Sequence, residues 1–315
     1  MSSTYSYSKL DTFQQCPFKF KLRYIDKHYF YNDSINTEIG SAIHACEEAI
    51  AKAIQARLTI NYIKLKNDLI CKMFQLKHKY PKEFVELDKA DKTFADKLYF
   101  YLETGIYRLE QFMLAHPTYQ IVGVELPFKV EYKEQYILSG FIDRLFYDTE
   151  TKRYIVQDIK TYAVPVEQDK LITPLQFVIY ALAVEQMFKC NQSDISCQYY
   201  LPFCDLTQDA GTKGYITRGV KKIDKLFDQI ANQEFAPNPC PLCNWCEFCP
   251  TNPQATTASK YLCPYFCHWD RDSRNKSDIN KVENVWQGLE NHDTIMAYYF
   301  NKVKEKAEWQ LFMQE

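Results

Sequence analysis

Apolar positions early in the chain recur at helical spacing. Ile39, Ile43, Cys46, Ile50 and Ile54 fall three or four residues apart, so the stretch from about Glu38 to Arg57 is expected to form one amphipathic helix. Helical periodicity continues from about Tyr62 to Ala115, interrupted near Pro81, and predicts a helical insertion over about 58–117. Ahead of it, Ser8 with Asp11 three residues on has the form of a capping box for a short helix to about Gln15. Cys16-Pro17 ends that helix, because proline disfavours helical geometry in the residue before it. At Tyr119 the period changes. QIVGVELPFKVEY, QYILSGFIDRLFYD and KRYIVQDIKTY are rich in β-branched and aromatic residues and are divided by short polar turns such as Thr149–Lys152. They predict three consecutive strands in an antiparallel meander.

Further on, Thr173-Pro174 reads as an N-cap and an N1 proline opening a helix to about Phe188. SCQYYLPF predicts another strand, Gly214–Thr217 a further one, and Val220–Ala231 a helix. Pro237 to Cys267 is rich in cysteine and proline and is expected to be irregular; a last helix is expected from about Asp278 to Phe312, with a break at Asn291-His292. There is no internal repeat. The pattern is that of an α/β chain: a mixed sheet flanked by helices, with a core over about 119–235.

Composition narrows the class more than the chemistry. At 315 residues, 46% hydrophobic and 25% charged, with eight glycines, the chain has the make-up of a soluble globular protein. No apolar run approaches the roughly 20 residues that span a bilayer, so no membrane partner is expected. MSSTYSYSKL lacks a basic region followed by an apolar one, so the expected compartment is the cytoplasm, of a cell or of a phage-infected cell. The net charge of −2 gives no overall basic excess for nucleic acid. Local basic groups are Lys19, Lys21 and Arg23, then Lys213, Arg218, Lys221 and Lys222, which also read as solvated faces.

The chemistry concentrates on the predicted hairpin. Asp143 sits in Gly-Phe-Ile-Asp-Arg and Asp158 in Val-Gln-Asp-Ile-Lys. Side chains alternate along a strand, so Asp158 and Lys160 share a face. With a turn at Thr149–Lys152, Asp143 falls at nearly matching height on the adjoining strand, which brings two acids and a lysine together at one edge of the sheet. Hard oxygen ligands of this kind hold Mg²⁺ or Mn²⁺. Such a cation polarises a phosphoryl oxygen and activates water, while a lysine stabilises developing charge. His44, at the margin of the apolar helical stripe, is a further candidate ligand. Gln176 and Tyr180 form an i, i+4 pair on one helix face.

These motifs, in this order, resemble the PD-(D/E)xK nuclease superfamily, specifically its RecB-like branch that carries an iron–sulfur cluster, the branch of AddB-type nuclease domains and CRISPR-associated spacer-acquisition exonucleases. The matching pieces are Ser6-Tyr7-Ser8 leading to Cys16-Pro17, G-x-x-x-H at Gly40 to His44, G-x-I-D at Gly140 to Asp143, D-x-K at Asp158 to Lys160, and Q-x-x-x-Y at Gln176 to Tyr180. The resemblance implies a restriction-endonuclease-like core and metal-dependent cleavage of DNA, often from single-stranded ends. It implies that His44, Asp143, Asp158 and the Ile159 carbonyl hold the metal and that Lys160 is the catalytic lysine. Gln176 and Tyr180 become DNA-contacting or ligand-supporting residues, with Glu125 as a further candidate. The alternative is a DNA-binding or scaffold protein that kept the fold without the activity.

Twelve cysteines in a chain of expected cytoplasmic character point to metal or cluster ligation rather than disulfides. Cys240, Cys243, Cys246 and Cys249 follow C-x2-C-x2-C-x2-C, a spacing that suits zinc or an iron–sulfur cluster. The resemblance implies a 4Fe–4S cluster on Cys16, Cys240, Cys243 and Cys249, with Cys246 as the alternative ligand. That would extend the nuclease domain over 1–250 and leave 251–315 as an extension whose terminal helix is suited to docking a protein partner. Cys263, Cys267 and His268 form a second group that reads as incidental thiols or a separate metal site. Cys46, Cys71, Cys190, Cys197 and Cys204 are expected in the core.

Overall fold

A computed structural model describes residues 3–28, 34–90, 94–161, 164–211, 214–238, 243, 245–248, 252 and 262–263. The expected terminal helix, and most of the expected irregular segment before it, lie outside the described residues. The chain divides into two compact units. The first comprises Met1–Tyr7 and Asp33–Lys225, and the second Ser8–Asn32 and Leu226–Glu315.

The first unit is built on a mixed six-stranded sheet. Its strands are β1 (Ser3–Tyr5), β2 (Tyr119–Tyr132), β3 (Tyr136–Asp148), β4 (Arg153–Ile159), β5 (Ile195–Leu201) and β6 (Leu206–Ala210). The predicted meander is present: β2 and β3 pair antiparallel along nearly their whole length, and β4 pairs antiparallel with β3 from Arg144↔Gln157 to Asp148↔Arg153. β4 then runs parallel to β5, which needs the long crossover through α8 (Gln168–Ile172) and α9 (Leu175–Phe188). β1 pairs parallel with β3 over Tyr136–Leu138, beside the stretch of β3 that β4 does not reach. The two acidic strands are therefore interior strands, not an edge, and the opening is a notch along β3 between the ends of β1 and β4.

The helical region is also as expected. α3 (Ile35–Gln55) buries Ile39, Ile43, Cys46 and Ile50, and α4 (Tyr62–Lys79), α5 (Pro81–Ala90), α6 (Phe94–Glu103) and α7 (Arg108–Ala115) follow. Leu69, Met73, Leu76, Tyr101 and Leu109 from these helices, with Ile106 from the 3-10 turn between α6 and α7, share one core with α3 and with Phe146 and Ile155 of the sheet. α9 is apolar all round, with Leu175 to Val184 buried without a break. Contrary to the expectation that no apolar run nears membrane-spanning length, Gln168–Phe188 is long and apolar enough by length and hydropathy, but its most apolar stretch is 67% buried inside the protein, as an all-round apolar core helix is.

Three local expectations are corrected. The helix near the start is α1 (Tyr7–Gln15), so Ser8 lies within it, and Asp11 accepts a hydrogen bond from Gln15 Nε2 at 2.7 Å instead of closing a capping box. Pro174 is the N-cap of α9 rather than its first helical residue, and Thr173 ends α8. Gly214–Thr217 is not a strand. It opens α10 (Tyr215–Ala231), with Gly214 just before the helix at φ +75°, and among the described residues the last strand is Leu206–Ala210.

In the second unit, α2 (Pro17–Phe20) follows α1 at once, with Cys16 as its N-cap. Phe13, Phe20 and Phe235 pack their rings together, Phe13 edge-on to Phe20 at 5.2 Å and Phe20 stacked on Phe235 at 6.2 Å. Phe18, Leu22 and Phe248 make a second small core, against which Cys16, Cys246, Leu262 and Cys263 pack.

Candidate active site

The residues singled out by sequence converge in the first unit from α3, β2, β3, the end of β4 and α9. The register Arg144↔Gln157, extended by one pair, sets Asp143 opposite Asp158. Asp143 Oδ2 accepts a hydrogen bond from the Ile159 N–H at 2.7 Å, so the carboxylate takes the place of a ladder partner where the two strands part. His44 brings Nδ1 to 3.7 Å from the same oxygen. α3 approaches closely here: a Cβ on Gly40 would lie 3.2 Å from Thr161 Oγ1, just beyond the end of β4.

Glu125 is the least expected of the acids, yet it joins His44 and Asp143. One ligand atom from each of the three lies within 4.8 Å of the other two. The cause is local. The β2–β3 register slips between Ile121 and Gly123, and Glu125 adopts φ +44°, a left-handed conformation that costs a non-glycine residue free energy. Gly123 permits the slip, since a Cβ there would come 2.8 Å from Leu126 Cδ2. A glycine inside a strand pattern was the available sign of this bulge.

Asp158 is 1% exposed. Its Oδ1 accepts from Gln176 Nε2 at 2.7 Å, and its Oδ2 lies 2.7 Å from the Lys160 ammonium but accepts no hydrogen bond of good geometry. Gln176 Nε2 is also 2.8 Å from the Tyr180 hydroxyl, and Lys160 Nζ donates to Gln176 Oε1 at 3.3 Å. The predicted i, i+4 pair thus holds Asp158 and Lys160 from α9.

The electrostatics are those of a site short of positive charge. Burial pushes the Asp158 carboxyl up to about 6, against the pull of Lys160. Burial likewise raises Asp143, opposed by His44 and the Ile159 N–H. Glu125 is raised by burial and then by Glu48. Three carboxylates and an imidazole gathered in one poorly solvated place suit a hard divalent cation.

A profile of the PD-(D/E)XK nuclease superfamily matches residues 4–251. The chain belongs to this superfamily. A similar protein is an ATP-dependent helicase/deoxyribonuclease subunit of Carboxydothermus hydrogenoformans, the one designated by the letter B, which is 27% identical over 206 residues. The match covers 59% of this chain and 19% of that relative, so the chain spans about a fifth of its length.

The cysteines of this superfamily member are placed less completely. Cys240, Cys249, Cys267 and His268 lie outside the described residues, as does Lys213. Cys16 Sγ accepts from the N–H groups of Lys19 and Asn238, each at 3.4 Å. Burial pushes the Cys246 thiol up to about 12, with Lys19 opposing. Of the cysteines expected in the core, Cys46 and Cys197 are buried and Cys190 and Cys204 half-buried, but Cys71 is exposed, on the solvent side of α4. The early basic group is paired in part within the unit: Lys19 and Arg23 share Glu247, at 2.9 and 3.7 Å, and Lys21 meets Asp26 at 2.6 Å.

Proposed function

We propose that this chain is a Mg²⁺- or Mn²⁺-dependent deoxyribonuclease that hydrolyses phosphodiester bonds, acting as an exonuclease on single-stranded DNA ends. The observation that carries the reading is the convergence of His44, Glu125, Asp143, Asp158 and Lys160 on one half-buried site with more carboxylates than cations, in a chain of this superfamily. The relative's own name, a deoxyribonuclease subunit, supports DNA as substrate. His44, Glu125, Asp143, Asp158 and the Ile159 carbonyl would hold the cation. When bound, it supplies Lewis-acid polarisation of the phosphoryl oxygen and a more acidic water. The protein's part is positional. Gln176, itself bonded to Tyr180, orients the Asp158 carboxylate, and Lys160, tethered to Asp158 and Gln176, offers its ammonium to the charge that builds on the phosphate.

The test is cleavage of end-labelled single-stranded and duplex DNA with Mg²⁺, Mn²⁺ or chelator. Wild type is expected to cut only with metal, and Asp143→Ala and Asp158→Asn to lose cleavage. Equal activity in wild type and Asp143→Ala would remove the assignment, and metal-independent DNA binding without cleavage would favour a scaffold.

In the second unit we propose a 4Fe–4S cluster on Cys16, Cys240, Cys243 and Cys249, or with Cys246 in the set. Its support is the resemblance together with the packing of Cys16 and Cys246 on one apolar cluster. Anaerobic purification with iron and zinc analysis decides it: zinc without iron, and no absorbance near about 400 nm, would replace the cluster with a zinc site.

A further inference from the structure

Beneath the site lies a polar layer that the proposed chemistry does not use. Arg144, Glu47 and Gln157 are 1%, 1% and 5% exposed. Arg144 Nη2 donates to Glu47 Oε2 at 2.8 Å, and Nη1 donates to Gln157 Oε1 at 2.7 Å. The Tyr101 hydroxyl of α6 donates to Glu47 Oε1 at 2.8 Å. Every central member is joined through the chain to a site residue. Arg144 follows Asp143, Gln157 precedes Asp158, and Glu47 is one turn beyond His44 on α3. Because strand neighbours alternate faces, Arg144 and Gln157 turn toward α3 while Asp158 turns toward α9.

A buried ion pair is a poor stabiliser, since desolvation offsets most of its Coulombic gain and apolar side chains of like volume serve as well. It does impose direction. Apolar packing of α3 on the sheet is non-directional and tolerates small shifts, whereas metal ligands must sit within about 0.2 Å of their places. A guanidinium bonded to α3 on one side and to β4 on the other fixes what apolar packing leaves loose.

We propose that Arg144 and Glu47 are positioning residues of the metal centre. Their pair, completed by Gln157 and Tyr101, sets the separation of His44 from Asp143 and Asp158 and thereby the affinity for the divalent cation. The proposal rests on the metal site proposed above. It adds that the helical insertion, through Tyr101, takes part in tuning it.

The experiment measures Mn²⁺ binding to the full chain without DNA, by calorimetry and by electron paramagnetic resonance of free Mn²⁺, beside thermal melts. The double variant Arg144→Met/Glu47→Leu replaces the pair with apolar volume and is expected to melt close to wild type. Its Mn²⁺ affinity is expected to fall about tenfold or more. Tyr101→Phe removes one donor to Glu47 with little change of shape, and its affinity is expected to fall roughly threefold. If variants that melt like wild type bind Mn²⁺ like wild type, the proposal is overturned. Should the double variant not fold, Tyr101→Phe decides alone. A wild type that binds Mn²⁺, and loses it in Asp143→Ala, yet cuts no DNA would sink the nuclease reading while leaving these affinities decisive. A wild type that binds no Mn²⁺ sinks both.

Discussion

Asp158, buried beside Lys160 and Asp143, carries a clear electrostatic consequence at the scale of one residue. Its folded carboxyl titrates at about 6, above the ordinary value of 3.8, chiefly because it is buried. A raised carboxyl stabilises the fold below the unfolded value, and that contribution is lost as pH climbs through the folded value. The metal-free protein is therefore expected to be less stable at pH 7 than at pH 5, by on the order of 1 kcal/mol from this group. Asp158→Asn is expected to flatten that slope, and Mn²⁺ to reverse it; calorimetric melts over pH 4 to 8, about the two carboxyl values, make the check. Glu125 holds a different kind of cost in its φ of +44°. Glu125→Gly is expected to gain about 1 kcal/mol in the metal-free melt while weakening Mn²⁺ binding. An unchanged melt together with unchanged Mn²⁺ binding would mean the strain has no functional counterpart. Asp143, Asp158 and Lys160 were legible in the sequence because strand alternation and a short turn suffice to bring them together. Glu125 was legible only as an acid on a nearby strand. Its arrival at His44 depends on a register slip, and register is a property of pairing rather than of either strand.

Among the elements, those with a strong period and ordinary ends were readable: α3, the insertion helices, the β2–β3–β4 meander and α9. The start of α10 was not. Gly214, Ile216 and Thr217 resemble a turn entering a strand, but Tyr215 and Ile216 are buried as the first apolar residues of a helix. Tertiary burial overrode the β preference of Ile216. α10 also meets α9 at unusually short range, because a Cβ on Gly219 would come 2.2 Å from Val178 Cγ2. Gly219→Ala is expected to destabilise by about 1–3 kcal/mol through overpacking, despite alanine's better helix propensity. Adding Val178→Ala is expected to recover part of the loss in a denaturant titration. If Gly219→Ala melts higher than wild type, the helices can separate without penalty and α9 is held by the sheet alone.

At the scale of the molecule, the fold class and the helical insertion followed from the order of periods along the chain. The opening between β1 and β4 did not, because β1 is three residues long and its partner is far away in sequence. Ser3 pairs with Tyr136, and 136 − 3 = 133 positions separate them. Contacts so distant in sequence form late, after local hairpins have closed. Pulse-labelled hydrogen exchange during refolding is expected to protect the β2–β3 hairpin amides first and Thr4 and Tyr5 last. Simultaneous protection would mean that β1 joins the nucleus. The same separation gives the nascent chain a timetable: the strand that borders the notch is synthesised long before its partner and waits on the ribosome for β3, and the last side chain of the site, Tyr180, emerges later still.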